Sequence, residues 1–116
     1  MPAQPPRLKD VPRNLKGYFL CLLKKGEKWN ETEGSTELMP RHLAFLRRQM
    51  ESGRFLVAGP VLGEGDDLVG ISVIEAASAQ EALEVANEDP GVKAGRLRME
   101  IRPVYLPSLD GVRVEF

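Results

Sequence analysis

Residues 68–86 read Leu-Val-Gly-Ile-Ser-Val-Ile-Glu-Ala-Ala-Ser-Ala-Gln-Glu-Ala-Leu-Glu-Val-Ala, a strand pattern that passes directly into a helix pattern. The first half, Leu68 to Ala77, is apolar and rich in Val and Ile, with Gly70 inside it, the composition of a buried strand. Ser78 and Glu81 then stand at capping-box spacing. Behind them Ala82, Leu83, Val85 and Ala86 supply the apolar face of a short helix, which Pro90 stops. Upstream, Gly63-Glu64-Gly65-Asp66-Asp67 marks a hairpin loop, and Phe55-Leu56-Val57-Ala58, cut by Gly59-Pro60, is the strand before it.

The same alternation repeats on either side. Tyr18 to Leu23 is an apolar, aromatic-rich run that reads as a strand buried on both faces or nearly so. Gly26 to Thr36 is a polar loop with Trp29 as its only large apolar group. Pro40 suits the first turn of a helix, where its missing N–H is not needed. Met39, Leu43, Leu46 and Met50 then predict one apolar stripe down that helix, which Gly53 ends. At the other end, Leu97 to Leu106 alternates apolar and charged residues as a half-buried strand does, with Pro103 marking a break or an edge. The order βαββαβ predicts an α+β, ferredoxin-like fold: a four-stranded antiparallel sheet with two helices on one face. The strands carry few polar residues to wet the other face, so a second copy is expected to cover it as a homodimer. Ala58, Val73, Ile101 and Tyr105 are among the strand positions expected at that interface.

Composition narrows the function. A chain of 116 residues with 42% hydrophobic and 28% charged positions makes one ordinary domain. The expected division is a tail at 1–16, the domain at 17–107 and an extension at 108–116. Sixteen Lys and Arg against seventeen Asp and Glu leave −1, so no charge bias recommends nucleic acid or an anionic membrane as partner. No apolar run approaches the roughly 20 residues that span a bilayer. One Cys and one His exclude a disulfide framework and a multi-histidine zinc site, and a reducing cytoplasm is the expected compartment. The expected partner is a small molecule or another copy of the chain.

Two residues stand out chemically. His42 is the only side chain whose ordinary titration lies near neutrality; in the first helical turn the helix dipole would disfavour an extra positive charge, the condition a general base needs. The competing reading is a half-buried structural histidine. Asp89 follows the second helix, where the negative end of the dipole disfavours a carboxylate, although Asp-Pro is also a common way to end a helix. Antiparallel helices on one sheet face can bring the start of the first near the end of the second. Asp89 could then fix the His42 tautomer and stabilise its protonated form. Arg41, Arg47 and Arg48 line the first helix and could attract a carboxylate, against the alternative of a solvated face. Cys21, in the middle of an apolar strand, reads as core.

The segments Pro40-Arg41-His42-Leu43-Ala44-Phe45-Leu46, Ala58-Gly59-Pro60, Gly70-Ile71-Ser72-Val73-Ile74, Asp89-Pro90-Gly91-Val92-Lys93-Ala94-Gly95 and Arg102-Pro103 resemble the YciI-like, or YCII-related, family. The resemblance runs from about Tyr18 to Leu106. It implies a ferredoxin-like fold, dimerisation into an αβ-barrel, and a cleft in which His42 and Asp89 are the active pair. Ser72 then stands at a hydroxyl position of the site, and Arg41 beside the histidine is assigned with it to substrate binding. The implied activity is a cofactor-independent, metal-free lyase or isomerase reaction on a small anionic carbonyl or ring substrate. The family's best-defined relatives resemble dehydrohalogenases and lactone isomerases of aromatic degradation. A non-catalytic small-molecule binding module is the alternative, and haem ligation by His42 a third.

Overall fold

Side chains alternate along a strand, so the faces of the sheet follow from register. In the computed structural model, which describes residues 13–116 except residue 64, strand β1 (Leu15–Lys25) pairs antiparallel with β3 (Leu68–Ile74) and β4 (Leu97–Pro107). Strand β2 (Phe55–Pro60) pairs with β3, giving the order β2-β3-β1-β4. Between the strands lie α1 (Ser35–Glu51), α2 (Ala79–Ala86) and a one-turn α3 (Pro90–Lys93). This is the ferredoxin-like α+β architecture.

Cys21 and Leu23 point to the helix side, as does Ile74, the register partner of Phe19. Together with Phe45 of α1, Phe55 of β2, and Ala82, Val85 and Ala86 of α2 they form the core. Phe45 and Phe55 meet edge to face, with centroids 5.8 Å apart. Helix α2 follows most of its sequence signals: the Ser78 hydroxyl accepts from the Glu81 N–H at 3.1 Å, and Ala82, Val85 and Ala86 are buried, whereas Leu83 of the expected face is 36% exposed because it turns away from the sheet. It ends at Ala86, and Pro90 opens α3 instead of stopping α2.

Helix α1 departs from its reading. It starts at Ser35 behind Gly34, whose positive φ of 78° closes the preceding loop, and no side chain caps it. Pro40 therefore lies inside the helix, where it removes one backbone donor, and His42 is beyond the first turn. The residues that α1 buries are Phe45 and Gln49. Leu46 and Met50 border the core, whereas Met39 and Leu43 of the expected stripe are 59% and 55% exposed. The 4-3-4 spacing identifies a face of the helix, but the position of the sheet selects the face that is buried.

The interface positions are corrected in the same way. Ala58, Ile101 and Tyr105 stand in register with Ser72, Cys21 and Gly17, on the helix side, and only Val73 points to the opposite face. A period-two pattern does not reveal its own phase until strands pair. On that opposite face the chain's own C-terminal segment makes contact, with the Leu109 N–H donating to the Tyr18 hydroxyl at 2.8 Å. Val112, Val114 and Phe116 continue past Met50, Phe55 and Leu56, and the Phe116 ring lies 4.6 Å from the Arg47 guanidinium carbon. Pro103 pairs with Phe19 without breaking the ladder, since β4 is an edge strand. Residues 1–12 of the expected tail lie outside the described residues, and β1 already begins at Leu15.

Candidate active site

Asp89 owes its position to a change of direction. After α2 the backbone extends at Asp89 (φ −58°, ψ 129°), Pro90 starts α3, and Asp89 Oδ1 accepts from the Gly91 N–H at 2.8 Å. A side chain at Gly91 would bring a Cβ to 2.7 Å from Leu97 Cδ1 and 3.2 Å from Asp89 Oδ1, so the close approach suits glycine. Asp89 thus caps the N-terminus of α3, where N–H groups welcome a carboxylate, instead of facing the unfavourable end of α2. The dipole argument for His42 also lapses, because that field is confined to the first turn. What acts on the ring is a direct partner.

His42 Nδ1 lies 2.7 Å from Asp89 Oδ2, joining α1 to the α2–α3 corner across 47 positions of chain. Asp89 has no exposed surface, and the His42 side chain retains 17%. An ionised carboxylate only accepts, so the proton of a neutral ring is assigned to Nδ1 and the lone pair to Nε2.

Two neighbouring cavities share His42, Leu23, Leu43, Leu46 and Pro60. The first, of about 570 Å³, runs between α1 and the β2–β3 hairpin, with Ala58, Gly59, Ser72 and Arg47 on its walls and Val114 and Phe116 of the C-terminal segment at its side. The second, of about 460 Å³, is bounded by Trp29, Leu38, Met39, Arg96 and Leu97. Met39 and Leu43, unburied as core, are cavity wall.

Ser72 is 1% exposed, and its hydroxyl has no hydrogen-bond partner in the structure. It faces Cys21 across the β1–β3 ladder. Burial pushes the Cys21 thiol up to about 11, with the Ser72 hydroxyl pulling weakly the other way from outside proper hydrogen-bond geometry. Arg41 is exposed on α1 and lines neither cavity, whereas its neighbour in the basic run, Arg47, lines the first. Arg96, on the wall of the second cavity, belongs to no periodic pattern, and its one local mark is its place just after Ala94-Gly95 behind the Asp-Pro turn. Among the described residues, no helix is long and apolar enough to cross a membrane.

The structure is thus a ferredoxin-like α+β domain in which a half-buried histidine meets a fully buried carboxylate beside two cavities. The model of the YCII-related domain matches residues 18–105, and the chain belongs to that family. Among solved structures it is similar to a 5-chloro-2-hydroxyhydroquinone dehydrochlorinase from Burkholderia phenoliruptrix AC1100, solved in complex with 2,5-dihydroxybenzoquinone. Identity is 21% and the TM-score 0.53, over 75% of this chain and 91% of that one. No curated protein matches the chain.

Proposed function

We propose that the protein is a cofactor-independent enzyme of the lyase or isomerase kind, acting on a small anionic carbonyl or ring compound held beside His42. The observation that carries this reading is the 2.7 Å contact of His42 Nδ1 with the fully buried Asp89, at the edge of two cavities. With Nδ1 engaged, Nε2 is the atom that takes a proton from an activated C–H or ring O–H. Asp89 keeps the productive tautomer and offsets the imidazolium charge that forms. In an elimination, the electron pair left on the substrate forms the new double bond and expels the leaving group as an anion, and His42 later releases its proton to water. In an isomerisation the same proton returns at another carbon.

The Ser72 hydroxyl, buried without a partner, is suited to donate to the substrate oxygen on which charge grows. Arg41, outside the cavities, has the role of attracting an anion to this side of α1. The dehydrochlorinase likeness fits an elimination of this kind. The catalytic unit in this reading is the domain at 17–107, with 108–116 as an extension against it. A second copy pairs over the open sheet face, where Ile71 is 38% exposed. The lone reduced Cys21 suits a cytoplasmic setting. Light scattering at micromolar concentration gives twice 12.9 kDa if the pairing is correct.

The test is chloride release from chlorinated hydroquinones and from chlorinated dihydroxybenzoates by the purified chain. His42→Ala should lower the rate by roughly 10²–10⁴-fold, and Asp89→Asn by less, with both variants folded. In ¹⁵N spectra of the single histidine, Asp89→Asn should shift the tautomer away from Nδ1–H. Tight ligand binding that survives His42→Ala, with no turnover of any substrate by the unaltered chain, would mean a binding module instead.

A further inference from the structure

The second cavity carries a cation that none of the described residues neutralises. Arg96 sits on its wall, half-buried, with no carboxylate in ion-pair distance among the described residues; Glu31 lines the same cavity but does not pair with it. Its guanidinium is oriented by two neutral acceptors, the Ser35 hydroxyl at 2.8 Å and the Glu33 carbonyl. Its Nε is buried without a partner. A guanidinium that is held in place, partly desolvated and short of acceptors raises the free energy of the empty site, which an anion in the cavity would lower.

The backbone beneath it is equally determined. The loop carrying Trp29 is docked on the Arg96 segment by the Gly26 N–H on the Arg96 carbonyl and the Lys28 N–H on the Gly95 carbonyl, both at 2.8 Å. The approach is so close that a Cβ on Gly26 would lie 2.4 Å from the Gly95 oxygen. An indole and a guanidinium, from distant parts of the chain, are thereby fixed on one cavity whose other walls are largely apolar and which also reaches His42.

We infer that Arg96 is the specificity-determining residue of this site, and that the Trp29–Arg96 cavity selects an aromatic carboxylate, with the ring against the indole and the carboxylate at the guanidinium. The inference rests on the reading of the His42 cavities as a substrate site and adds the chemical class that enters them. Planar stacking and a forked donor together recognise a flat anion better than a neutral ring.

Trp29 is the only tryptophan, so its emission reports on this cavity directly. The full chain is titrated with 2,5-dihydroxybenzoate and with the corresponding neutral amide. The acid should give a saturable change, and the amide should bind at least about tenfold more weakly. Arg96→Met should weaken the acid by a similar factor, with circular dichroism unchanged, and Arg96→Lys should recover part of the loss. Equal affinities for acid and amide would overturn the assignment, as would the absence of any saturable change. Both comparisons use the unaltered chain and so do not depend on the variants folding. Unchanged acid binding in a folded Arg96→Met would overturn it equally. Chloride release reads His42 while this titration reads Arg96, so the failure of either reading is visible apart from the other.

Discussion

The two βα halves of this sheet use the same architecture for different ends. In the β3–α2 half the cap and most of the apolar face agree with the tertiary structure, with Leu83 alone of that face left exposed. Ser78 caps the helix, and Ala82, Val85 and Ala86 seat it tightly on Ile74 and Cys21. In the half built on α1 the signals conflict: the helix has no side-chain cap, carries Pro40 inside, and holds Met39 and Leu43 clear of the core. The space under those two side chains is where His42 faces two cavities. One half supplies stability from close packing, and the other leaves unfilled space beside His42, the local conflict that the proposed function would explain.

The sharpest way to break this contrast is to damage the well-packed half. Ile74 is fully buried in the core, and Ile74→Ala should cost about 3–4 kcal/mol in urea denaturation, by lost transfer energy and the void left behind. A cost below about 1 kcal/mol would mean that this half is no tighter than the other.

The pH experiment asks whether solvent in the first cavity reaches the central strand. Burial holds the Cys21 thiol neutral up to about pH 11, while in the unfolded chain it ionises near pH 8.5. The unfolded state therefore binds fewer protons between these values. The thiol's contribution is intact below about pH 8.5 and is lost as pH rises toward 11, by up to about 3 kcal/mol. Cys21→Ala should flatten that part of the stability–pH curve. Native Cys21 should also resist iodoacetamide at pH 8, and rapid alkylation would show an open path past Ser72.

Smaller effects separate the helices themselves. Ser78→Ala removes the α2 cap and should cost about 1 kcal/mol in thermal unfolding. Leu43→Ala, on the exposed cavity wall of α1, should cost less than that, about 0.5 kcal/mol. Its main effect should be on ligand affinity in the Trp29 titration. A stability loss for Leu43→Ala as large as that for Ile74→Ala would erase the distinction between wall and core.

Legible in the sequence were the strand–helix order, the α2 cap, the antiparallel β2–β3 pair, and the two residues of the His-carboxylate pair as candidates. These are local matters of periodicity, turn chemistry and residue type, and the pair was also carried by resemblance. Tertiary structure decided the rest. The phase of each strand was settled only by pairing, which turned Ala58, Ile101 and Tyr105 to the helix side and Val73 to the opposite face. The buried face of α1 was chosen by the sheet beneath it, which made a predicted core stripe into cavity wall. Asp89 became an N-cap because one turn of helix follows it, too short for any periodic signal to announce. Arg96, Trp29 and Phe116 came to the site through backbone docking and chain return over long sequence separations. Their spacing along the chain carries no trace of that, because which distant segments meet is a property of the packed whole and not of any window within it.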